Sequence, residues 1–100
     1  MKVVINRSYG MYGLSKEAIK YLTKTYNLSY HEIDYGCGYF DEDLPRSDPR
    51  LIECVEKLGV KEASGPYAKL KIVEIPDDVQ WIINDYDGME VVEEVHRSWF

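Results

Sequence analysis

The sequence has no long apolar segment. Its first apolar run, Val3 to Ile5, is far shorter than the core of a signal peptide, and no stretch approaches the roughly 18 apolar residues of a membrane span. We therefore expect no membrane span and a cytoplasmic location.

Cysteine is scarce as well. The only two cysteines are Cys37, which lies between glycines, and Cys54, which lies inside a helical pattern. A reducing compartment keeps such thiols reduced, so no disulfide framework is predicted.

Basic residues are too few for nucleic-acid binding. Twelve Lys and Arg residues face 18 Asp and Glu residues, which gives a net charge of −6. Binding driven by phosphates needs clustered Lys and Arg. We expect no direct contact with nucleic acid. The negative electrostatic field of the whole protein should instead favour basic partners.

Catalytic signatures are absent too. The chain contains no Gly-x-Ser-x-Gly, no His-Glu-x-x-His, no Walker or dinucleotide fingerprint and no isolated pair of carboxylates. We predict that the protein is not an enzyme and holds no cofactor.

One segment nevertheless groups ligand-type side chains: His31, Glu32, Asp34 and Cys37. The paired motifs of structural zinc sites are missing, so no metal site is predicted. Cys37 with His31 as its base remains an alternative, although the acidic neighbours oppose formation of a thiolate.

Tyrosine is the residue in excess, with nine in a chain of 100 residues. That length fits a single domain with one core. Tyrosine combines a large apolar ring with a polar tip and is enriched at binding surfaces, so the excess favours a binding protein.

Hydrophobic periodicity predicts the order β-α-β-α-β-β-β. Ser15 and Pro49 mark helix starts, the second helix being capped by Ser47 or Asp48, while Asn27 and Gly59 mark helix ends. Asp87-Gly88 is a strong hairpin signal. The predicted strands are Lys2 to Asn6, Leu28 to Asp34, Ala68 to Ile75, Trp81 to Asp85 and Met89 to Val95, with an irregular excursion from Tyr35 to Pro45 and a loop from Lys61 to Pro66.

This order predicts an α+β fold: one domain, spanning residues 1–100, with a mixed four- or five-stranded sheet and two helices on one face. The exposed face of the sheet or an edge strand is the natural surface for a homodimer.

The loop after the first strand is the candidate binding site. A helix N-terminus leaves N–H groups unpaired and attracts anions, and the two loop glycines would let a ligand approach. An arginine could bind a phosphate while a tyrosine stacks on a base. The candidate residues are Arg7, Ser8, Tyr9, Gly10, Tyr12 and Gly13.

Arg97 would join this site if the last strand ends beside the first. The alternative is a terminal tail that contains His96, Arg97 and Trp99, in which the Trp99 ring covers the edge of the core. The loop itself could likewise be a tight turn whose tyrosines only cover the sheet edge. Both pairs of alternatives remain open at this point.

Four segments, KVVINRSYGMYGLS, YAKLKIVEIPDDV, YDGME and HRSW, resemble a family of small uncharacterised proteins encoded by tailed phages and prophages. The resemblance covers about half of the chain. In that family the loop usually reads Cys-Tyr-Gly-Gly-Phe-Gly. Ser8 replaces the cysteine and Met11 a glycine, so no thiol role carries over to this loop.

The resemblance implies a phage accessory protein in the host cytosol, from a class rich in inhibitors. The leading hypothesis is that the protein binds a host defence component stoichiometrically and thereby inhibits it, a counter-defence role like that of anti-CRISPR proteins. The alternative is a sponge that sequesters a nucleotide immune signal at the loop from Arg7 to Ser15.

Overall fold

The computed structural model describes residues 1–33 and 38–95, which form three helices and six strands. The helices are α1 (Lys16–Tyr26), α2 (Pro49–Leu58) and α3 (Val60–Ala63). The strands are β1 (Lys2–Asn6), β2 (Tyr30–Glu32), β3 (Gly38–Phe40), β4 (Leu70–Glu74), β5 (Trp81–Tyr86) and β6 (Met89–Glu94).

Strands β1 and β4 form an antiparallel ribbon that is apolar on both faces. Val4 pairs with Ile72 on one face, and Val3 pairs with Val73 on the other. Val4 belongs to the core beneath the helices, whereas Val3 is fully buried outside that core. The β5–β6 hairpin contacts β1, and Val91 of β6 shares a groove with Val73. The prediction of a first strand from Lys2 to Asn6 is confirmed, and this strand is covered on both faces.

Helices α1 and α2 begin and end where their capping residues predict. The Ser15 hydroxyl accepts a hydrogen bond from the Ala18 amide (3.1 Å), and Asn27 closes α1 with a left-handed φ of 55°. The Asp48 carboxylate caps α2 by accepting from the Arg50 amide (2.8 Å).

The helices and the ribbon enclose the main apolar core. The buried core residues are Val4, Ala18, Leu22, Leu51, Ile52, Cys54, Val55, Ala63 and Leu70.

None of the helices in the described part of the chain has the length and apolar character needed to cross a membrane.

The prediction of a loop from Lys61 to Pro66 is wrong at its start, where α3 forms. Gly59 turns the chain with a φ of 86°, and helical structure then resumes for one turn. Ala63 is fully buried, and its carbonyl accepts a hydrogen bond from the Ser15 amide (2.8 Å). Tertiary packing thus overrides the polar composition of the segment.

The irregular excursion predicted from Tyr35 to Pro45 is wrong at β3, which pairs with β2. The rings of Tyr30 and Phe40 pack edge to face at 5.0 Å, a cross-strand contact that stabilises the pairing, and Gly38 permits it because a Cβ there would overlap the His31 carbonyl and the Tyr30 side chain. The strand predicted from Leu28 to Asp34 is shorter than expected, since β2 spans three residues and Asp34 lies outside the described residues.

The α+β class is confirmed, but the strands form three two-stranded antiparallel sheets instead of one mixed sheet. The sheets are β1–β4, β2–β3 and β5–β6. Within residues 1–33 and 38–95, no strand extends the ribbon at β1, because other groups occupy that edge. The Val4 amide donates to the Arg46 carbonyl (2.9 Å), and the Asn6 amide donates to the Glu90 carboxylate (2.7 Å).

Close glycine packing joins the loop after β1 to the β5–β6 turn. The hairpin predicted at Asp87-Gly88 is confirmed, and the φ values of these residues, 54° and 94°, fit a type I′ turn. A Cβ added to Gly88 would overlap the carbonyl oxygen of Gly10. The turn therefore requires glycine for its backbone conformation and for its packing.

We expect Gly88→Ala to lower the free energy of unfolding by about 3–5 kcal/mol, because backbone strain adds to steric overlap. Gly59 also has a positive φ, but no atom lies within 4 Å of an added Cβ. Gly59→Ala should therefore cost only the strain, about 1–3 kcal/mol. Gly13→Ala, in open space, should change little. Urea denaturation measures the free energy of unfolding of all three variants. Equal losses for Gly88→Ala and Gly59→Ala would contradict the close packing of Gly88 against Gly10.

Candidate functional site

The end of strand β1 is a buried hydrogen-bonding centre formed by Asn6, which is fully buried. Its Nδ2 donates to the carbonyls of Gly88 (2.8 Å) and Ser8 (3.2 Å), and its Oδ1 accepts from the Lys69 amide (2.8 Å). One side chain thus connects the loop after β1, the β5–β6 turn and the segment that leads into β4.

A buried ion pair lies beside this asparagine. Both carboxylate oxygens of Glu90 accept from the Arg46 guanidinium, at 2.6 and 2.9 Å, and Glu90 is only 4% exposed. The Asn6 amide donates to the same carboxylate (2.7 Å). Bidentate pairing and the additional donor offset the desolvation of the buried charge.

Tyr12 lies against the same arginine. The Arg46 guanidinium carbon is 3.4 Å from the centroid of the Tyr12 ring, a cation–π contact. Burial raises the pKa of Tyr12 to about 12, against the opposing charge of Arg46. The phenol therefore stays protonated at physiological pH, and its ring supports the ion pair.

The structure uses several of the predicted ligand-binding residues in internal contacts. Arg7 Nη1 donates to the Glu90 carbonyl (2.7 Å), and Ser8 Oγ lies 2.8 Å from the Tyr67 carbonyl. A Cβ on Gly10 would overlap that same Tyr67 carbonyl. This part of the loop is a closely packed turn.

The other predicted residues do not converge on one site. Tyr9 is 75% exposed, whereas Tyr12 and Gly13 line a cavity. Arg97 lies outside the described residues. Ligand binding by this set as a whole stays a prediction.

The cavity lined by Tyr12 and Gly13 is a concave site with a largely apolar lining. It has a volume of about 230 Å³ and opens between the loop after β1, the β2–β3 hairpin and the segment before β4. The sequence interpretation missed most of its lining, because these residues lie far apart along the chain. The lining comprises Met11, Tyr12, Gly13, Leu14, Ile19, Tyr30, Gly38, Phe40, Leu44, Gly65, Pro66 and Tyr67.

Exposed side chains of apolar character border the cavity. Met11 is 57% exposed and Tyr67 is 59% exposed, and both also line the cavity. A second groove, of about 360 Å³, continues along α1 and shares Leu14, Ile19 and other lining residues with the cavity. Together they form one apolar surface, hereafter the α1 groove.

The α1 groove carries charge of both signs at its far end. Lys16 and Lys20 line one wall, one helical turn apart, and Glu32 lies in the lining as well. Neither lysine forms an ion pair with any residue in the described ranges. Among the described residues, none neutralises these two ammonium groups, which could therefore contact a ligand.

A separate groove lies on the opposite face of the β1–β4 ribbon, with a volume of about 300 Å³. Arg7 and Lys71 supply its cations, and apolar residues that include Val73 and Val91 supply the rest of its lining. Neither Tyr9 nor Tyr12 lines it, so the stacking predicted beside Arg7 lacks an aromatic partner in this groove.

The ligand-type side chains predicted near residue 31 are only partly within the described residues, since Asp34 and Cys37 lie outside them. His31 Nε2 lies 2.5 Å from the Asp41 carboxylate, and its ring stacks on Tyr39. The hypotheses that involve Cys37 stay untested predictions.

The other cysteine, Cys54, is fully buried in the core, and its Sγ donates to the Ala18 carbonyl (3.6 Å). Burial raises the pKa of this thiol to about 11, so it stays protonated near neutral pH. Cys54 is therefore a core residue.

Comparison of the chain with protein-family models, with curated proteins and with solved structures found no match in any of the three. The assignment of a function therefore depends on the geometry of the α1 groove and of its surroundings.

We expect Glu90→Gln to lower the free energy of unfolding by about 2–4 kcal/mol, because it leaves the Arg46 charge unpaired in a partly buried position. Glu94→Gln, on the same strand but exposed, is the control and should change stability by less than about 0.5 kcal/mol. Urea denaturation compares the two variants. Similar values for both would show that the Glu90–Arg46 pair does not stabilise the fold.

Proposed function

We propose that this protein is a non-enzymatic binding protein that occupies a surface of a host protein stoichiometrically, as a phage-encoded inhibitor of a defence component. The observation that carries the binding role is the apolar cavity with Met11 and Tyr67 exposed at its border. Exposed apolar residues around a concave site are typical of interaction surfaces. The phage context derives from the sequence resemblance alone.

The cavity has about 230 Å³, and the groove that continues from it along α1 adds about 360 Å³. The cavity alone lies below the roughly 300–1,000 Å³ of pockets that bind drug-sized molecules, so we propose that a single side chain fills it while the surrounding surface of the partner lies along the groove. One large apolar or aromatic side chain of a partner protein suits such a space. Buried anchors of this kind supply most of the free energy at protein interfaces.

The charges near the cavity specify the partner further. Lys16 and Lys20 would meet a carboxylate that lies beside the anchoring side chain. The net charge of −6 favours a partner whose wider surface is basic. We propose an apolar anchor with an acidic neighbour on an otherwise basic protein surface.

Affinity capture from host lysate, followed by calorimetry with the purified partner, tests this function. Tyr67→Ala should weaken binding at least about tenfold, because it removes an aromatic contact at the border of the cavity. Tyr39→Ala is the matched control, since Tyr39 is 55% exposed but lines neither the cavity nor the groove along α1, and it should leave affinity unchanged. Absence of any partner at micromolar concentration, or equal losses in both variants, would contradict the proposal.

Nucleotide sequestration is the second candidate function, and the groove that holds Arg7 and Lys71 favours it. Its two cations could bind a phosphate, while the rest of a nucleotide would lie against aliphatic side chains without aromatic stacking. This function would not involve the α1 groove.

Calorimetry against a panel of nucleotides separates the two functions. If a nucleotide binds, Arg7→Ala should abolish the heat, whereas Lys24→Ala on α1 should not change it. Absence of heat with every nucleotide would remove this candidate and leave the protein-binding proposal standing.

A further inference from the structure

The outer edge of strand β5 carries backbone groups without partners in the described part of the chain. The Val95 amide donates to the Gln80 carbonyl (2.8 Å), which identifies these two residues as a hydrogen-bonded pair at the end of the hairpin. Bonded pairs recur every second residue in an antiparallel ladder. The amide and carbonyl groups of Trp81, Ile83 and Asp85 therefore point away from β6.

The other long strands have occupied or charged edges. The Arg46 carbonyl and the Glu90 carboxylate accept from the outer amides of β1. Ser64 Oγ accepts from the first amide of β4 (2.9 Å), and Lys71 and Glu74 add charge along that strand. Arg7 donates to the Glu90 carbonyl of β6. These are the devices by which proteins prevent edge pairing.

Strand β5 has none of these devices along most of its length. Residues 81–84, with the sequence Trp-Ile-Ile-Asn, carry no charge, and Ile82 is 47% exposed. Asp85 is the only charged residue of the strand, and its carboxylate accepts from the Gly88 amide (2.6 Å) within the turn. A two-stranded hairpin with both faces partly exposed is also marginal without a third strand.

We propose that β5 pairs with β5 of a second copy of this chain, antiparallel and centred on Ile83. The two hairpins would then form one four-stranded sheet around a two-fold axis. Ile83 would lie opposite Ile83 of the partner subunit, and Ile82 opposite the partner's Asn84. The outward amides and carbonyls of each strand would become mutual donors and acceptors.

Charge favours this pairing of identical strands. With Ile83 at the centre, each Asp85 lies opposite Trp81 of the other copy, so the two Asp85 positions are about 13 Å apart along the sheet at about 3.3 Å per residue. Like charges are thus not placed opposite each other. The proposal is independent of partner binding, because the lining of the α1 groove includes no residue of β5 or β6.

Light scattering during size exclusion, over a series of protein concentrations, tests the pairing. The wild type should shift from monomer to dimer as concentration rises. Ile83→Pro should remain monomeric, because it removes an outward amide and leaves the amides that bond β6 in place. A wild type that is monomeric at every concentration would overturn the proposal.

Ile82→Lys provides a second test in case the proline disturbs the hairpin. A lysine at the edge should also give a monomer. Val60→Lys is the matched control, because Val60 is a β-branched residue with 44% exposure on α3, and it should dimerise like the wild type. Circular dichroism verifies that each variant is folded. Equal dimerisation of the Ile82→Lys and Val60→Lys variants would place the contact elsewhere and overturn the proposal.

The register is tested by disulfide formation in a Cys37→Ser background. Two opposite residues that form a hydrogen-bonded pair on antiparallel strands have Cα atoms about 5.5 Å apart. This distance is within the range that a disulfide can bridge. Ile83→Cys should therefore give a covalent dimer on mild oxidation, and Ile82→Cys should react much more slowly. The opposite order would overturn a pairing centred on Ile83.

Discussion

The arrangement of this fold depends on the hydrogen bonds of the buried Glu90 carboxylate. This carboxylate accepts from Arg46 and from the backbone of Asn6, so it joins β6 to β1 and to the segment that precedes α2. A charge with 4% exposure is tolerated only when its hydrogen bonds are complete. The packing of Tyr12, the closure of the loop and the seating of the β5–β6 hairpin must all preserve those bonds.

This constraint uses polar groups that the sequence analysis assigned to a ligand. The loop between β1 and α1 looks like an anion cradle in the sequence, but Asn6 and Ser8 use its polar groups internally. The ring of Tyr12 contacts the Arg46 guanidinium. The concave surface therefore lies beside the loop, where Met11 and Tyr67 border the space that the β2–β3 hairpin leaves open. The network that rigidifies the loop also holds one wall of the cavity in place.

Local chemistry made much of this fold predictable from the sequence. Ser15, Asn27 and Asp48 define helix ends through interactions within a few residues, and Asp87-Gly88 defines its turn in the same way. The Glu90–Arg46 pair spans 44 residues and has no local signature. Because this pair and its neighbours occupy the edge of β1, the expectation of one continuous sheet was wrong. The cavity was missed for the same reason, since its lining comes from segments that only tertiary contacts bring together.

The division into three small sheets links the two proposed interaction surfaces. A continuous sheet would bury most strand edges, whereas separate ribbons leave the edge of β5 open and leave a gap beside the β2–β3 hairpin.

The two surfaces belong to different elements, so pairing through β5 would not occupy the α1 groove. A dimer would then present two copies of that groove. Two grooves on one rigid body would raise the apparent affinity for a partner with repeated sites, even if each anchor binds weakly. Small size and a modest cavity are therefore compatible with effective stoichiometric binding.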